Sequence, residues 1–128
     1  MSQIALLSGA TFGLLAVIFG AFGAHVLKEK LTQDQQKSFE TGVKFQMYHA
    51  IVLLIIGFQY PAFAAFKNLM VLAFVAGTFL FSFSIYGLVL SGLKGNKIRI
   101  LGPVTPLGGM LLIVGWMLLL FEVISYTN

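Results

Sequence analysis

The chain has 128 residues, of which 59% are hydrophobic and 9% charged, with no cysteine and a formal net charge of +4; its mean hydropathy is +0.96. A soluble domain carries about 25% charged residues, so a surface wetted on all sides is excluded and most of this one must face lipid. The length allows a single unit, residues 1–128, and the lack of Cys excludes disulfides, zinc–thiolate sites and thiol catalysis together.

The first predicted element is a membrane helix over about residues 4–27. No charged side chain interrupts it before His25, and about 1.5 Å of rise per residue carries it across a hydrocarbon core of about 30 Å. A cleaved signal peptide is the rival reading, but Met1-Ser2-Gln3 offers no basic n-region. Ala5, Gly9, Gly13, Ala16, Gly20 and Gly23/Ala24 recur every three or four residues. That stripe lets a second helix approach closely, within the chain or across a dimer; the intrachain use is the simpler expectation.

Lys28–Lys44 holds seven of the twelve charged residues. Thr32-Gln-Asp-Gln35 has the capping-box pattern, which predicts a helix starting at Gln33 and running on into the second span, about 41–60. Its first turns form an amphipathic interfacial segment, with Phe39 and Val43 on one side and Lys37, Glu40 and Lys44 on others. Gly42 is the expected bend and Pro61 the expected stop. After a link at Ala62–Phe66 and Lys67, an uncharged third span covers about 68–90. Gly, Asn and Lys content predicts a loop over 91–97. Thr105 as N-cap and Pro106 as first helical residue open a fourth span, about 105–125. The fold class expected is therefore all-α, a four-helix transmembrane bundle.

The first and third loops hold Lys28, Lys30, Lys37, Lys44, Lys94, Lys97 and Arg99, whereas the second holds Lys67 alone. The positive-inside rule then places these two loops in the cytoplasm and both termini outside the cell membrane. No basic run is interleaved with stacking aromatics, so the expected partners are the bilayer and anionic headgroups at the cytoplasmic face rather than nucleic acid. A homo-oligomer or another membrane protein is a further possible partner.

Polar side chains enter the spans from this side. Gln46 and His49 share a face of the second helix, His49 lying about 7–8 Å inward of Lys44. Ser84 and Tyr86 on the third span, His25 on the first and Thr105 at the fourth reach comparable depth. Two readings stay open: the groups satisfy one another structurally, or they line a polar cavity. His25 and His49 as axial ligands of a haem are a sharper idea with no other support, and no cofactor is expected. Two His without carboxylates at matched depth make a poor metal site. No nucleophile triad, P-loop or dinucleotide fingerprint occurs, and Gly108-Gly109 reads as helix packing. At the opposite interface Glu122 and Lys67 form a candidate ion pair. No catalytic residue is assigned.

Gly20-Ala-Phe-Gly-Ala-His25, Phe39-x-Thr-Gly-Val-x-Phe-Gln-x-Tyr-His-Ala50, Phe81-Ser82-x-Ser84-x-Tyr86 and Leu101-Gly-Pro-x-Thr-Pro-Leu-Gly-Gly109, with Gly115-Trp116, resemble the signature of the YgdD-type small membrane proteins, domain-of-unknown-function family 423. The resemblance covers nearly the whole chain. It implies a four-span membrane protein and supplies no reaction, cofactor or catalytic residue. Phe83 stands where the family has Gly between two serines, and Phe45 where it often has Tyr, which makes the inner region less polar. The activity expected is accessory or membrane-organising and non-enzymatic. An oligomeric transporter or channel for a small solute or ion is the alternative, and a haem-binding or redox membrane protein comes third.

Overall fold

Backbone N–H and C=O groups in hydrocarbon have no water to bond, so apolar stretches of this length satisfy themselves as helices. The computed structural model of the chain describes residues 1–59 and 66–128. Its elements are α1 (Ser2–His25), α2 (Gln33–Gln59), α3 (Lys67–Thr78), a π-helical turn (Phe79–Phe83), α4 (Ser84–Leu93), a 3-10 turn (Arg99–Leu101) and α5 (Val104–Thr127). By length and composition four rods can cross a membrane: Ser2–His25, Gln33–Gln59, Lys67–Leu93 and Arg99–Thr127. The expected stop at Pro61 and most of the Ala62–Phe66 link lie outside the described residues.

The capping box forms as the sequence dictates. Gln35 N–H donates to Thr32 Oγ1 over 3.2 Å, and Thr32 N–H donates to Gln35 Oε1 over 3.0 Å. α2 then runs unbroken through Gly42. The missing side chain there admits the ring of Tyr86, whose Cε1 lies 2.8 Å from where a Cβ would stand, so this glycine serves close packing.

α1 packs along α2 and α3 along α5, while the backbones of α1 and α5 do not approach closely among the described residues. The third rod is the buried centre, with 56% of its most apolar stretch inside the molecule against 22% for the first and fourth. Leu53 and Ile56 of α2 and Met70, Val71 and Phe74 of α3 are fully buried, joined by Ala5 and Phe12 of α1 and Leu112 of α5. A second cluster, Leu27, Leu31, Phe39, Ile85, Tyr86 and Val89, closes the end that carries the first and third loops. The small-residue stripe of α1 is used inside the chain: a Cβ on Gly9 would stand 2.9 Å from the carbonyl oxygen of Ala50, and one on Gly23 2.6 Å from the Phe39 ring.

Two features of the second half depart from expectation. The third rod is not uniform, because a π turn at Phe79–Phe83 interrupts it. Gly108 of α5 packs against this turn so closely that a Cβ would stand 2.4 Å from the backbone nitrogen of Phe81. And α5 begins at Val104 after Pro103, with no side-chain cap. Thr105 is therefore not the N-cap; its hydroxyl is spent sideways on Ser84.

Candidate functional site

A polar side chain carried into an apolar span needs a bonding partner inside the bundle, because lipid supplies none. α2 brings two such groups, one turn apart on the face it turns inward: Gln46 is fully buried and His49 is 4% exposed. Gln46 Nε2 donates to the carbonyl oxygen of Phe12 over 2.8 Å, while Gln46 Oε1 accepts the Tyr86 hydroxyl at 2.7 Å. One amide thus ties α1, α2 and α4 together. Four residues before Tyr86, Ser82 in the π turn donates to the carbonyl oxygen of Gly42 over 2.7 Å. The Tyr86 ring fills the space between these bonds, 5.0 Å from the rings of both Phe19 and Phe39.

His49 is bonded at both ring nitrogens. Nδ1 stands 2.6 Å from the carbonyl oxygen of Phe45, and Trp116 Nε1 donates to Nε2 over 3.1 Å. A carbonyl only accepts and an indole N–H only donates. These partners together require the neutral Nδ1–H tautomer and occupy the Nε2 lone pair that a metal or haem iron would need. Phe74 packs against the pair, with centroids 5.7 Å from both rings.

Of the six residues expected to share one cluster, five divide into three groups and His25 stands apart. Gln46, Tyr86 and, through Ser82, the Gly42 backbone form the first. Ser84 and Thr105 form a hydroxyl pair, with Ser84 also donating to the carbonyl oxygen of Phe81 over 2.9 Å. His25 belongs to neither: it is exposed at the C-terminal end of α1, so no bis-histidine arrangement exists with the buried His49. His49 is the third group, and its partner is none of those expected. Trp116 lies twelve residues beyond Val104, about 18 Å along α5, which puts His49 nearer the middle of the bundle than a count from Lys44 suggests. Trp116 and Ser82 are the residues that sequence reasoning missed. Both stand within the quoted family pattern, but neither carries a charge to mark it.

At the other end, Glu122 is 8% exposed and accepts the backbone N–H of Phe66 over 3.2 Å. The neighbouring Lys67 donates to the hydroxyl of Ser2 at the start of α1. The two expected ion-pair residues thus reach one end of the bundle and meet different partners there. Glu122 acts as a carboxylate clamp on the backbone that leads into α3. Among the described residues no group of three or more His, Asp or Glu could hold a metal ion.

A family model described as "Protein of unknown function (DUF423)" matches residues 19–109, which include most of these groups. The chain is 34% identical over 126 residues to the UPF0382 membrane protein YwdK of Bacillus subtilis (strain 168), covering 97% of this chain and 98% of that one. It is 36% identical over 126 residues to a UPF0382 membrane protein of Staphylococcus aureus (strain bovine RF122), covering 98% and 99%. A Staphylococcus epidermidis relative (strain ATCC 12228) is 35% identical over the same shares. No solved structure matches at a significant level.

Proposed function

The chain belongs to the DUF423 family of membrane proteins, and from that premise we propose that it is an accessory, membrane-organising protein of the cell membrane. In this reading it is non-enzymatic and non-conducting. The observation that carries the reading is the fate of the intramembrane polar groups, of which the fully buried Thr78 hydroxyl alone among the described residues has no hydrogen-bond partner. Gln46, His49, Ser82 and Ser84 each bond to a group on another helix of the same chain: the Phe12 carbonyl, Trp116, the Gly42 carbonyl and Thr105. Bonded in this way, they lock neighbouring helices at about 0.6–2 kcal/mol each. A solute path instead needs polar groups that exchange partners along the membrane normal. Rigid packing with a wide lipid-facing surface is what a structural or adaptor protein requires.

The Lys and Arg distribution, seven in the first and third loops against one in the second, supports cytoplasmic placement of those loops and external termini. Transport, the alternative, would need its path between chains. Proton and potassium flux into sealed liposomes tests the proposal. Proteoliposomes are expected to leak no faster than empty vesicles, and protein-dependent flux would overturn it.

A further inference from the structure

A cleft of about 680 Å³ opens between the first turns of α2, the last turns of α4 and the start of α5. The charged residues among its lining are Lys37, Lys97 and Asp34, all three exposed. Neither ammonium group has a hydrogen-bond or ion-pair partner among the described residues. The wall behind them is apolar, built by Ile85, Leu88 and Val89 on one face of α4. From Ile85 to Gly92 this wall rises about 10 Å, so the cleft spans from the charged loop level into the hydrocarbon edge.

We propose that this cleft seats an anionic phospholipid of the surrounding bilayer, its phosphate between Lys37 and Lys97 and the first methylenes of one acyl chain along Ile85, Leu88 and Val89. Two cations against one carboxylate leave a single positive charge, which a singly charged phosphodiester neutralises. A free phosphate would satisfy the lysines and leave the apolar wall uncovered; a phospholipid covers both. A zwitterionic lipid brings its own cation to a mouth that already has two. The inference deepens the organising role and rests on it for the side of the membrane the cleft faces. Its test does not depend on flux, so the two readings fail separately.

The full chain, released from detergent and weighed by native mass spectrometry, is offered phosphatidylglycerol or phosphatidylcholine. It should retain the first and shed the second. Lys37→Gln with Lys97→Gln should weaken phosphatidylglycerol retention roughly thirty-fold, at about 1 kcal/mol for each lysine near the surface. Lys28→Gln with Lys44→Gln removes the same charge from the neighbouring cleft beside α1 and should leave retention unchanged. Leu88→Trp keeps both charges, fills the apolar wall and should displace the lipid. Equal retention of the two lipids, equal loss in both double variants, wild-type retention in Leu88→Trp, or displacement by inorganic phosphate alone would each overturn the proposal.

Discussion

Trp116 of α5 and His49 of α2 are joined by an N–H to N hydrogen bond of 3.1 Å, although their helices make no backbone-level contact among the described residues. The bond reaches past Phe74 of α3, whose ring lies against both, and so clamps the central rod from its two sides. Trp116→Phe should leave a buried acceptor without a donor, at a cost of about 1–2 kcal/mol. His49→Leu should rescue part of that loss when added to Trp116→Phe, since removing both partners is cheaper than orphaning one. A double-mutant cycle of unfolding in detergent measures the coupling, and strictly additive losses would remove the clamp argument.

Gly108 and Gly109 are adjacent and should respond oppositely to alanine. A Cβ at Gly108 would stand 2.4 Å from the Phe81 backbone nitrogen, whereas one at Gly109 finds the Phe81 ring at 3.7 Å. The first collides with backbone that cannot swing away, at about 1–3 kcal/mol. The second is ordinary contact, and Ala is the better helix former there. Folded yield and thermal midpoint in detergent distinguish them; equal tolerance would show that the π turn yields to α5.

Because Glu122 accepts a backbone N–H from Phe66, its carbonyl-type oxygen matters more than its charge. Glu122→Gln should keep most of the bond and change stability by less than about 0.5 kcal/mol, while Glu122→Leu should lose about 0.5–1.5 kcal/mol as the Phe66 N–H loses its carboxylate partner. Exchanging the charges of Lys67 and Glu122 should rescue neither single change. Full recovery in the exchanged variant, read by thermal unfolding, would restore a direct ion pair as the better description.

Topology reporters fused at Lys30, Lys67 and Lys97 should report cytoplasm, exterior and cytoplasm in turn. The motivation is the distribution of Lys and Arg among the loops. A cytoplasmic signal at Lys67 would invert the orientation and move the proposed lipid cleft to the outer leaflet.

The sequence by itself determined that four apolar rods would form and where the second begins, because hydrocarbon forces backbone self-satisfaction and Thr32 with Gln35 marks a helix start through local bonds alone. It also showed that Gln46 and His49 would turn inward, since both sit on one helix face and lipid offers neither a partner. Which groups they meet was decided only by tertiary packing. Trp116 and the Phe12 carbonyl are separated from their partners by 67 and 34 positions, and a side-chain period contains no information about the axial stagger between helices. The π turn at Phe79–Phe83 was equally illegible: its five residues suit an α-helix as well, and what accompanies the extra residue is long-range, the Ser82 bond to Gly42 and the approach of Gly108. Thr105 shows the same limit from the other side. Locally it is a good N-cap, but Ser84 stands close enough in the folded bundle to take its hydroxyl, and a bond across helices replaced the one the local pattern predicts.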